Sequence, residues 1–190
     1  MTPNELTKHR RECYGIDPIA DNLRRVCCNR WLRIHGLPDA KRYPETQQEY
    51  SIILHRHNEA LSALLVPGSE AILITTGGSS PEDPAPVQDQ YLQHPMAWHW
   101  MSFLDDPNDP YPILWHLYAR AVDWQWGTLD AELRQVIDDK SSNVMLIGVV
   151  QRVVYHPYDG GADIIARDER QRDSLRERFR DWLSSRPDGL

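Results

Sequence analysis

The chain has 190 residues and a mass of 22.1 kDa, which is the size of one compact domain. Apolar residues make up 41% and charged residues 26%, so the composition is globular and excludes a disordered, collagen-like or coiled-coil chain. The formal net charge of −7 disfavours general binding to nucleic acids or anionic membranes, and no stretch approaches the roughly 18 apolar residues of a membrane helix.

Cysteine usage and the first residues predict a cytoplasmic protein. The three cysteines, Cys13, Cys27 and Cys28, are odd in number and include an adjacent pair, so they form no disulfide framework. The first residues also lack the apolar stretch behind a basic head that is typical of a signal peptide.

Charge is distributed unevenly along the chain. Residues 1–42 hold nine basic and five acidic side chains, whereas residues 43–140 hold four basic and fifteen acidic side chains. The basic segment could bind an acidic partner or pair with the acidic middle of the same chain. The second interpretation is favoured, because exposed charge usually serves solvation.

The first 28 residues are predicted to form a helical N-terminal segment. Residues 4–14 are polar and compatible with a helix. Asp17-Pro18 then has the form of an N-cap followed by proline, with apolar residues at helical spacing over 18–27.

Residues 30–35 alternate between apolar and polar side chains, which is typical of a half-buried strand with Leu32 and Ile34 on one face. Thr46 and Glu49 then have the spacing of a capping box, which predicts a helix over about 47–65. Its apolar stripe comprises Tyr50, Ile53, Leu54, His57, Leu61, Leu64 and Leu65.

The middle of the chain is predicted to contain three strands. A β-branched run over 71–75 ends at Gly77, and a Pro/Gly/Ser-rich loop over 77–95 follows it. Residues 96–104 and 113–124 are rich in aromatic and β-branched side chains, and the turn-forming run between them predicts a hairpin.

The last third of the chain is predicted to contain two helices around three strands. Thr128 is predicted to cap a helix that ends at Lys140. Apolar runs over 144–149, 151–156 and 162–165 predict strands, although the first two could be one bent strand. A helix over about 168–184 closes the chain.

The resulting order, α-α-β-α-β-β-β-α-β-β-β-α, does not alternate as a doubly wound fold does. We therefore predict a single α+β domain over residues 1–190, with a largely antiparallel sheet of about six or seven strands packed with about four helices.

Two segments resemble an uncharacterised bacterial protein family. They are Trp31–Glu45, which contains Ile-His-Gly-Leu-Pro-Asp-Ala-Lys-Arg-Tyr-Pro-Glu, and Tyr155–Ile164, which contains Tyr-Asp-Gly-Gly-Ala-Asp. The resemblance covers roughly residues 30–66 and 144–184. It implies a coherent fold and transfers no catalytic residue, although some small families of this kind look like immunity or antitoxin proteins.

The first segment supplies candidate binding residues. Arg33 shares a strand face with His35, and the following loop carries Lys41, Arg42 and Tyr43. Guanidinium, imidazole and ammonium groups suit a carboxylate or phosphate ligand. The alternative is that Lys41 and Arg42 pair with local acids such as Glu45, and this interpretation is favoured.

The second segment supplies further candidates. Tyr158 and Asp159 are candidate binding residues, and His156 and Asp163 join His35 as weak catalytic candidates. The structural alternative, which is favoured, is that Asp159 bonds its own turn, that Asp163 pairs with an arginine and that Gly160-Gly161 makes a tight turn.

Other chemistry finds little support in the sequence. The eight histidines and three cysteines lack metal-ligand spacing, so neither a metal nor another cofactor is predicted. Ser79 and Ser80 follow two glycines but belong to no G-x-S-x-G elbow or phosphate loop. A further hypothesis is that His116 and Arg120 meet His35, His156 and Asp163 on one sheet face.

The sequence thus favours a non-enzymatic binding module whose partner is a protein and whose contact surface is the acidic, aromatic middle of the chain. The alternative is a small enzyme that acts on an anionic substrate in a cleft formed by Arg33, His35, His156 and Asp163. A purely structural subunit is a third possibility. An exposed apolar patch would favour the binding module. Convergence of these polar groups in a pocket would favour the enzyme.

Overall fold

The computed structural model describes residues 1–14, 19–82, 96–104, 109–186 and 189. Within them, seven strands form one antiparallel sheet in the order β1-β7-β6-β5-β2-β4-β3. The strands are β1 (Trp31–His35), β2 (Glu70–Ser79), β3 (Trp98–Leu104), β4 (Leu114–Asp123), β5 (Met145–Gly148), β6 (Val153–Tyr158) and β7 (Gly161–Ile165).

Five α-helices accompany the sheet in the described part of the chain. They are α1 (Pro3–Cys13), α2 (Ala20–Val26), α3 (Gln47–Leu64), α4 (Asp130–Ile137) and α5 (Glu169–Arg178). The order of helices and strands is the predicted one, and the α+β class with a largely antiparallel sheet is confirmed.

Helices cover both faces of the sheet and create two apolar cores. On one face, here the α3 face, α3, α4 and α5 pack on residues such as Leu73, Leu146 and Ile164. On the other, the α1 face, Leu6 of α1 and Leu23 of α2 pack on the opposite side of the same strands. The short strands β5 and β7 are therefore buried on both faces, which explains their nearly continuous apolar sequences.

Local sequence patterns predicted several elements correctly. The capping box of Thr46 and Glu49 is formed at the start of α3, and β1 buries Leu32 and Ile34 while Trp31, Arg33 and His35 are only half buried. The runs predicted near Val144–His156 are two strands, β5 and β6, which pair across a turn around Val150.

Several predicted boundaries were wrong. Strand β2 does not end at Gly77, because Gly77, Gly78 and Ser79 pair with β4 and the ladder overrides the weak strand preference of glycine. The N-cap of α4 is Leu129, and the Thr128 hydroxyl instead accepts a hydrogen bond from the Gln125 amide. Helix α4 ends at Ile137, before Lys140.

Helix α5 ends at Arg178 and gives way to a short 3₁₀ turn over Arg180–Trp182, although the predicted stripe residues Leu175 and Phe179 are buried. Three predictions fall wholly or partly outside the described residues. They concern the Asp17-Pro18 cap, residues 83–95 of the loop and residues 105–108 of the hairpin turn.

A buried polar pair joins α3 to the sheet. The hydroxyl of Tyr155 on β6 donates to Nδ1 of His57 over 2.5 Å. Burial lowers the pKa of His57 to about 4 and raises the pKa of Tyr155 well above its usual range. Both groups are therefore neutral at pH 7, with the phenol as donor and the imidazole nitrogen as acceptor.

Truncation of Leu61 tests the packing of α3. Leu61 is fully buried in the α3-face core, so Leu61→Ala should lower the free energy of unfolding by about 2–5 kcal/mol. Val66→Ala is the matched control, because Val66 is 63% exposed and its loss leaves no cavity. Urea denaturation that gives the two variants equal stability would contradict this packing.

The buried state of His57 makes stability depend on pH. Its folded pKa lies below that of an unfolded histidine, so the unfolded chain takes up this proton first as the pH falls below 6.5. Stability present at pH 7 should therefore be lost towards pH 4.5, by about 2–3 kcal/mol from this group. His57→Gln keeps an acceptor for Tyr155 without titrating.

Urea denaturation of wild type and His57→Gln at pH 7, 5.5 and 4.5 checks the assignment. The variant should lose less stability over this range, since the other titrating groups are common to both proteins. Equal losses in the two proteins would show that His57 does not carry the pH dependence.

Candidate functional site

The two segments singled out in the sequence meet at one edge of the sheet. Strand β1 pairs antiparallel with β7, so that Arg33 lies directly opposite Asp163. The amide of Gly36 also donates to the carbonyl of Gly160 over 2.9 Å. Sheet pairing thus brings together residues that are more than a hundred positions apart in the chain.

Arg33 and Asp163 form a two-point ion pair on the α1 face. The guanidinium donates from Nε to Oδ1 and from Nη2 to Oδ2, both over 2.8 Å. The indole N–H of Trp31 donates to Oδ1 over 2.9 Å, and the guanidinium stacks over the ring of Tyr158. Three of the roughly four acceptor positions of Asp163 are thereby used.

A second ion pair joins the loop after β1 to the turn after β6. Arg42 donates from Nε to Oδ2 of the buried Asp159 over 2.8 Å. Tyr43 also hydrogen-bonds Asp159, which raises the pKa of the phenol. Burial raises the pKa of Tyr158 to about 12, so this ring is neutral.

Lys41 is held by two carboxylates. Its ammonium group lies 2.6 Å from Glu49 and 3.2 Å from Glu45, and the hydrogen bond to Glu49 is the largest cause of its raised pKa. Lys41 thus pairs with local acids, whereas Arg42 pairs across to Asp159. These cations are compensated within the chain, which weakens the case for an anion site, although a binding role for these residues stays a prediction.

The catalytic candidates come together only in part. His156 lies opposite Asp163 on the neighbouring strand, but its Nδ1 is 2.7 Å from the carbonyl of Val144 and donates to it. His35 lies opposite Gly161, two positions along β1 from Arg33. Burial and the cations Arg33 and Arg56 lower the pKa of His35.

The wider hypothesis that His116 and Arg120 join this group is wrong. Alternation along the strands places His35, His156 and Asp163 on the α1 face, whereas His116 and Arg120 lie on the α3 face. Arg120 pairs there with Glu132 of α4.

Gly160 and Gly161 differ in how much room each has for a side chain. A Cβ on Gly161 would lie 2.0 Å from the carbonyl oxygen of Ile34, and its φ is +155°. A Cβ on Gly160 would instead meet the edge of the Tyr158 ring at 2.9 Å. Close approach of β1 therefore demands glycine at 161, which the sequence had attributed to the tightness of the turn.

The opposite edge of the sheet has a different character. Strand β3 is the last strand there, and no described strand pairs with its outer side. It contains no charged residue and no proline, and its neighbourhood exposes large apolar side chains, namely Met96, Leu104, Tyr111 and Ile113. The sequence indicated an aromatic middle segment but gave no sign that β3 would lie at an edge.

A cleft of about 850 Å³ lies beside this edge. Its lining comes from the end of β2 and the residues after it, and from the segment before β4 and the start of β4; it includes Ser79, Ser80, Glu82, Tyr111, Ile113 and Trp115. Gly78 helps to shape it, since a Cβ there would lie 3.1 Å from the side chain of Ile113.

The described parts of the chain show neither a metal cluster nor a membrane-spanning helix. These residues hold no group of three or more His, Cys, Asp or Glu side chains placed to bind a metal ion. None of their helices is both long and apolar enough to cross a membrane.

These features define an α+β domain whose antiparallel sheet is covered by helices on both faces and has one uncharged edge strand. The chain belongs to a family of domains of unknown function (DUF3885), whose family model matches residues 19–187. Comparison with curated proteins and with solved structures found no match.

The two glycines provide a paired test of the β1–β7 contact. Gly161→Ala should destabilise the domain by about 3 kcal/mol or more, because the new carbon overlaps the backbone of β1. Gly160→Ala should cost about 1 kcal/mol or less, since an aromatic ring edge can move aside. If Gly161→Ala and the wild type had the same melting temperature, the close approach of β1 to Gly161 would be ruled out.

Proposed function

We propose that the protein is a non-enzymatic binding module that takes up an extended segment of a partner protein along the outer edge of β3. The observation that carries the proposal is that no described strand pairs with the outer side of β3 and that the strand itself has no charged residue or proline. An edge strand presents backbone donors and acceptors to any chain that can pair with it, and proteins usually block such edges with charges or proline. Strand β3 has neither.

Contacts on the α1 face hold β3 in place. Trp100 is buried in the α1-face core, and its indole N–H donates to the Thr7 hydroxyl of α1 over 3.0 Å. A bulge interrupts the pairing between His99 and Met101, after which residues 101–104 pair regularly with β4. Residues 101–104 are therefore the proposed docking strand, because a partner needs a regular ladder.

The charge composition of the sequence around β3 supports a basic partner. The sequence contains no lysine or arginine between Arg56 and Arg120, whereas eight acidic residues lie in that interval. Glu82 lines the neighbouring cleft. A partner segment with lysine or arginine between apolar residues would match both the apolar strand and the acidic composition of this part of the sequence.

The other edge of the sheet fits this role less well. Strand β1 carries Arg33, which is engaged with Asp163, and it contacts helix α5. The Arg33, His35, His156 and Asp163 group also gives the alternative enzyme little support, because Asp163 already accepts three hydrogen bonds. A bound partner at β1 would have to displace these existing contacts.

The proposal includes the predicted cytoplasmic location. Its support is that Cys13, Cys27 and Cys28 are all free thiols, as is usual in a reducing compartment. An immunity-like or antitoxin-like role, in which the partner is a toxin protein, is the particular form of this function that the sequence resemblance suggested.

Selection from a library of linear twelve-residue peptides tests the proposal without knowledge of the natural partner. We expect the selected peptides to alternate apolar residues with lysine or arginine. Their affinity, measured by calorimetry, should fall roughly tenfold or more in Leu104→Lys, which adds a repelling charge at the edge.

Val150→Lys is the matched control, because Val150 is exposed in the turn between β5 and β6 and lies away from β3. It should leave peptide affinity unchanged, and hydrogen exchange of the amides of residues 101–104 should slow when peptide binds. Failure to select any binder, or equal loss of affinity in the two lysine variants, would overturn the proposal.

A further inference from the structure

The cleft beside β3 opens on the α1 face of the sheet. Trp115 on β4 lies opposite Gly78 of β2 and Phe103 of β3. Alternation places Trp115 on the same face as Leu117, which packs in the α1-face core, and Phe103 packs against that core as well. The side chains of Ile113 and Trp115 lie over Gly78, where a Cβ would be 3.5 Å from the Trp115 ring. The floor of the cleft is therefore apolar and continues from the α1 face of β3.

Two aromatic rings and one carboxylate line the cleft. Tyr111 is 87% exposed, and Trp115 is half buried. Glu82 lies on the segment after β2, and its amide donates to the hydroxyl of Ser80 over 3.2 Å. This hydrogen bond closes the short turn that carries the carboxylate. The lining thus combines aromatic faces with a negative charge, which is the combination that binds organic cations.

The chain itself supplies no neighbouring cation to Glu82 along the sequence. No lysine or arginine lies between Arg56 and Arg120. Arg56 donates to the carbonyl of His35 over 2.8 Å, and Arg120 pairs with Glu132 on the α3 face. Both arginines are therefore engaged away from the cleft, which leaves its carboxylate available to a cation from another molecule.

We propose that the cleft receives an arginine side chain of the partner segment, which stacks on Tyr111 and Trp115 and pairs with Glu82. The proposal rests on the binding function proposed above and adds the identity of the anchoring side chain. A guanidinium group is planar and weakly hydrated, so it stacks on aromatic rings and donates two parallel hydrogen bonds to a carboxylate. Lysine fits such a site less well, because its ammonium group is a compact, strongly hydrated point charge.

The distance between the docking strand and the cleft also favours a long side chain. Neighbouring strands lie about 4.8 Å apart, so a segment paired with the outer side of β3 would lie about 10 Å from β4. A partner side chain opposite Phe103 would point to the α1 face and would have to pass over that ring to reach Trp115. The cleft volume of about 850 Å³ is within the range of about 300–1,000 Å³ of ligand pockets, which accommodates a whole arginine side chain.

Nα-acetyl-L-argininamide tests the cleft without any peptide. The indole N–H signal of Trp115 is assigned in the NMR spectrum by its loss in Trp115→Phe, and its chemical shift is then followed as the probe is added to the wild type. We expect this signal to shift and saturate. The citrulline analogue, which has nearly the same shape but no charge, should bind at least about fivefold more weakly.

Two pairs of variants assign the contacts. Glu82→Gln should weaken binding of the arginine probe roughly fivefold, as expected for an exposed ion pair. Glu70→Gln is the matched control, because Glu70 is exposed at the opposite end of β2, and it should leave the affinity unchanged. Tyr111→Leu should weaken binding about threefold, whereas Tyr111→Phe, which keeps the ring, should not. Tyr111 is largely exposed, so both of its variants should fold.

No shift at Trp115, equal binding of the arginine and citrulline probes, or equal effects of Glu82→Gln and Glu70→Gln would each overturn the proposal. These results do not depend on strand pairing, because the probe has no segment to pair with β3. If the probe bound at Trp115 but no peptide bound the protein, the guanidinium site would stand and docking at β3 would fail.

Peptides selected for binding to β3 provide the converse test. Replacement of their arginine by citrulline should weaken binding to the wild type and have little further effect on binding to Glu82→Gln, because the same interaction is already lost there. If every arginine in the selected peptides could be replaced without loss of affinity, docking at β3 would stand and the arginine site would be refuted.

Discussion

The position of β1 depends on the absence of a side chain at Gly161. The backbone of β1 passes so close to β7 that a Cβ at this position would lie 2.0 Å from the Ile34 carbonyl oxygen. This contact lets a strand from the first fifth of the chain pair with one near its end. Once β1 is in place, its apolar side chains Leu32 and Ile34 complete the α3-face core.

The ion pair of Arg33 and Asp163 fixes the register of that pairing. The two side chains are only 17% and 7% exposed, so each is costly to bury without the other. A slip by one residue would turn Asp163 towards the apolar α3 face and leave it without Arg33 and Trp31. The pair therefore favours this register over its neighbours, and three hydrogen bonds from the chain itself already engage Asp163.

Sequence patterns predicted the elements well because most of their signals are local. The capping box of α3 and the alternation of β1 arise from neighbouring residues, and both are formed as expected. The end of β2 was misjudged because its glycines are held by β4, some forty residues further on. Thr128 was misassigned for a related reason, since its hydroxyl satisfies the preceding turn and not α4.

Site chemistry was harder to predict because it depends on the order of strands in the sheet. Arg33 and Asp163 were both candidates, but their mutual pairing follows from β1 lying beside β7. His116 was placed in the wrong group because the sequence does not show on which face of the sheet the side chains of β4 lie. Its actual partners, Ser79 and Ser102, lie on strands that become neighbours only in the folded sheet.

The two edges of the sheet thus divide the polar chemistry of the molecule. At the β1 edge, Lys41, Arg33 and Arg42 are each matched by carboxylates, so that charge there is used to close the fold. The sequence from 57 to 119, which contains β3, has no lysine or arginine, and large apolar side chains are exposed around the described part of this strand. Polar groups whose hydrogen bonds are already made within the chain have little capacity left to bind a ligand. The outer backbone groups of β3 pair with no described strand, and this edge is therefore where we propose that a partner binds.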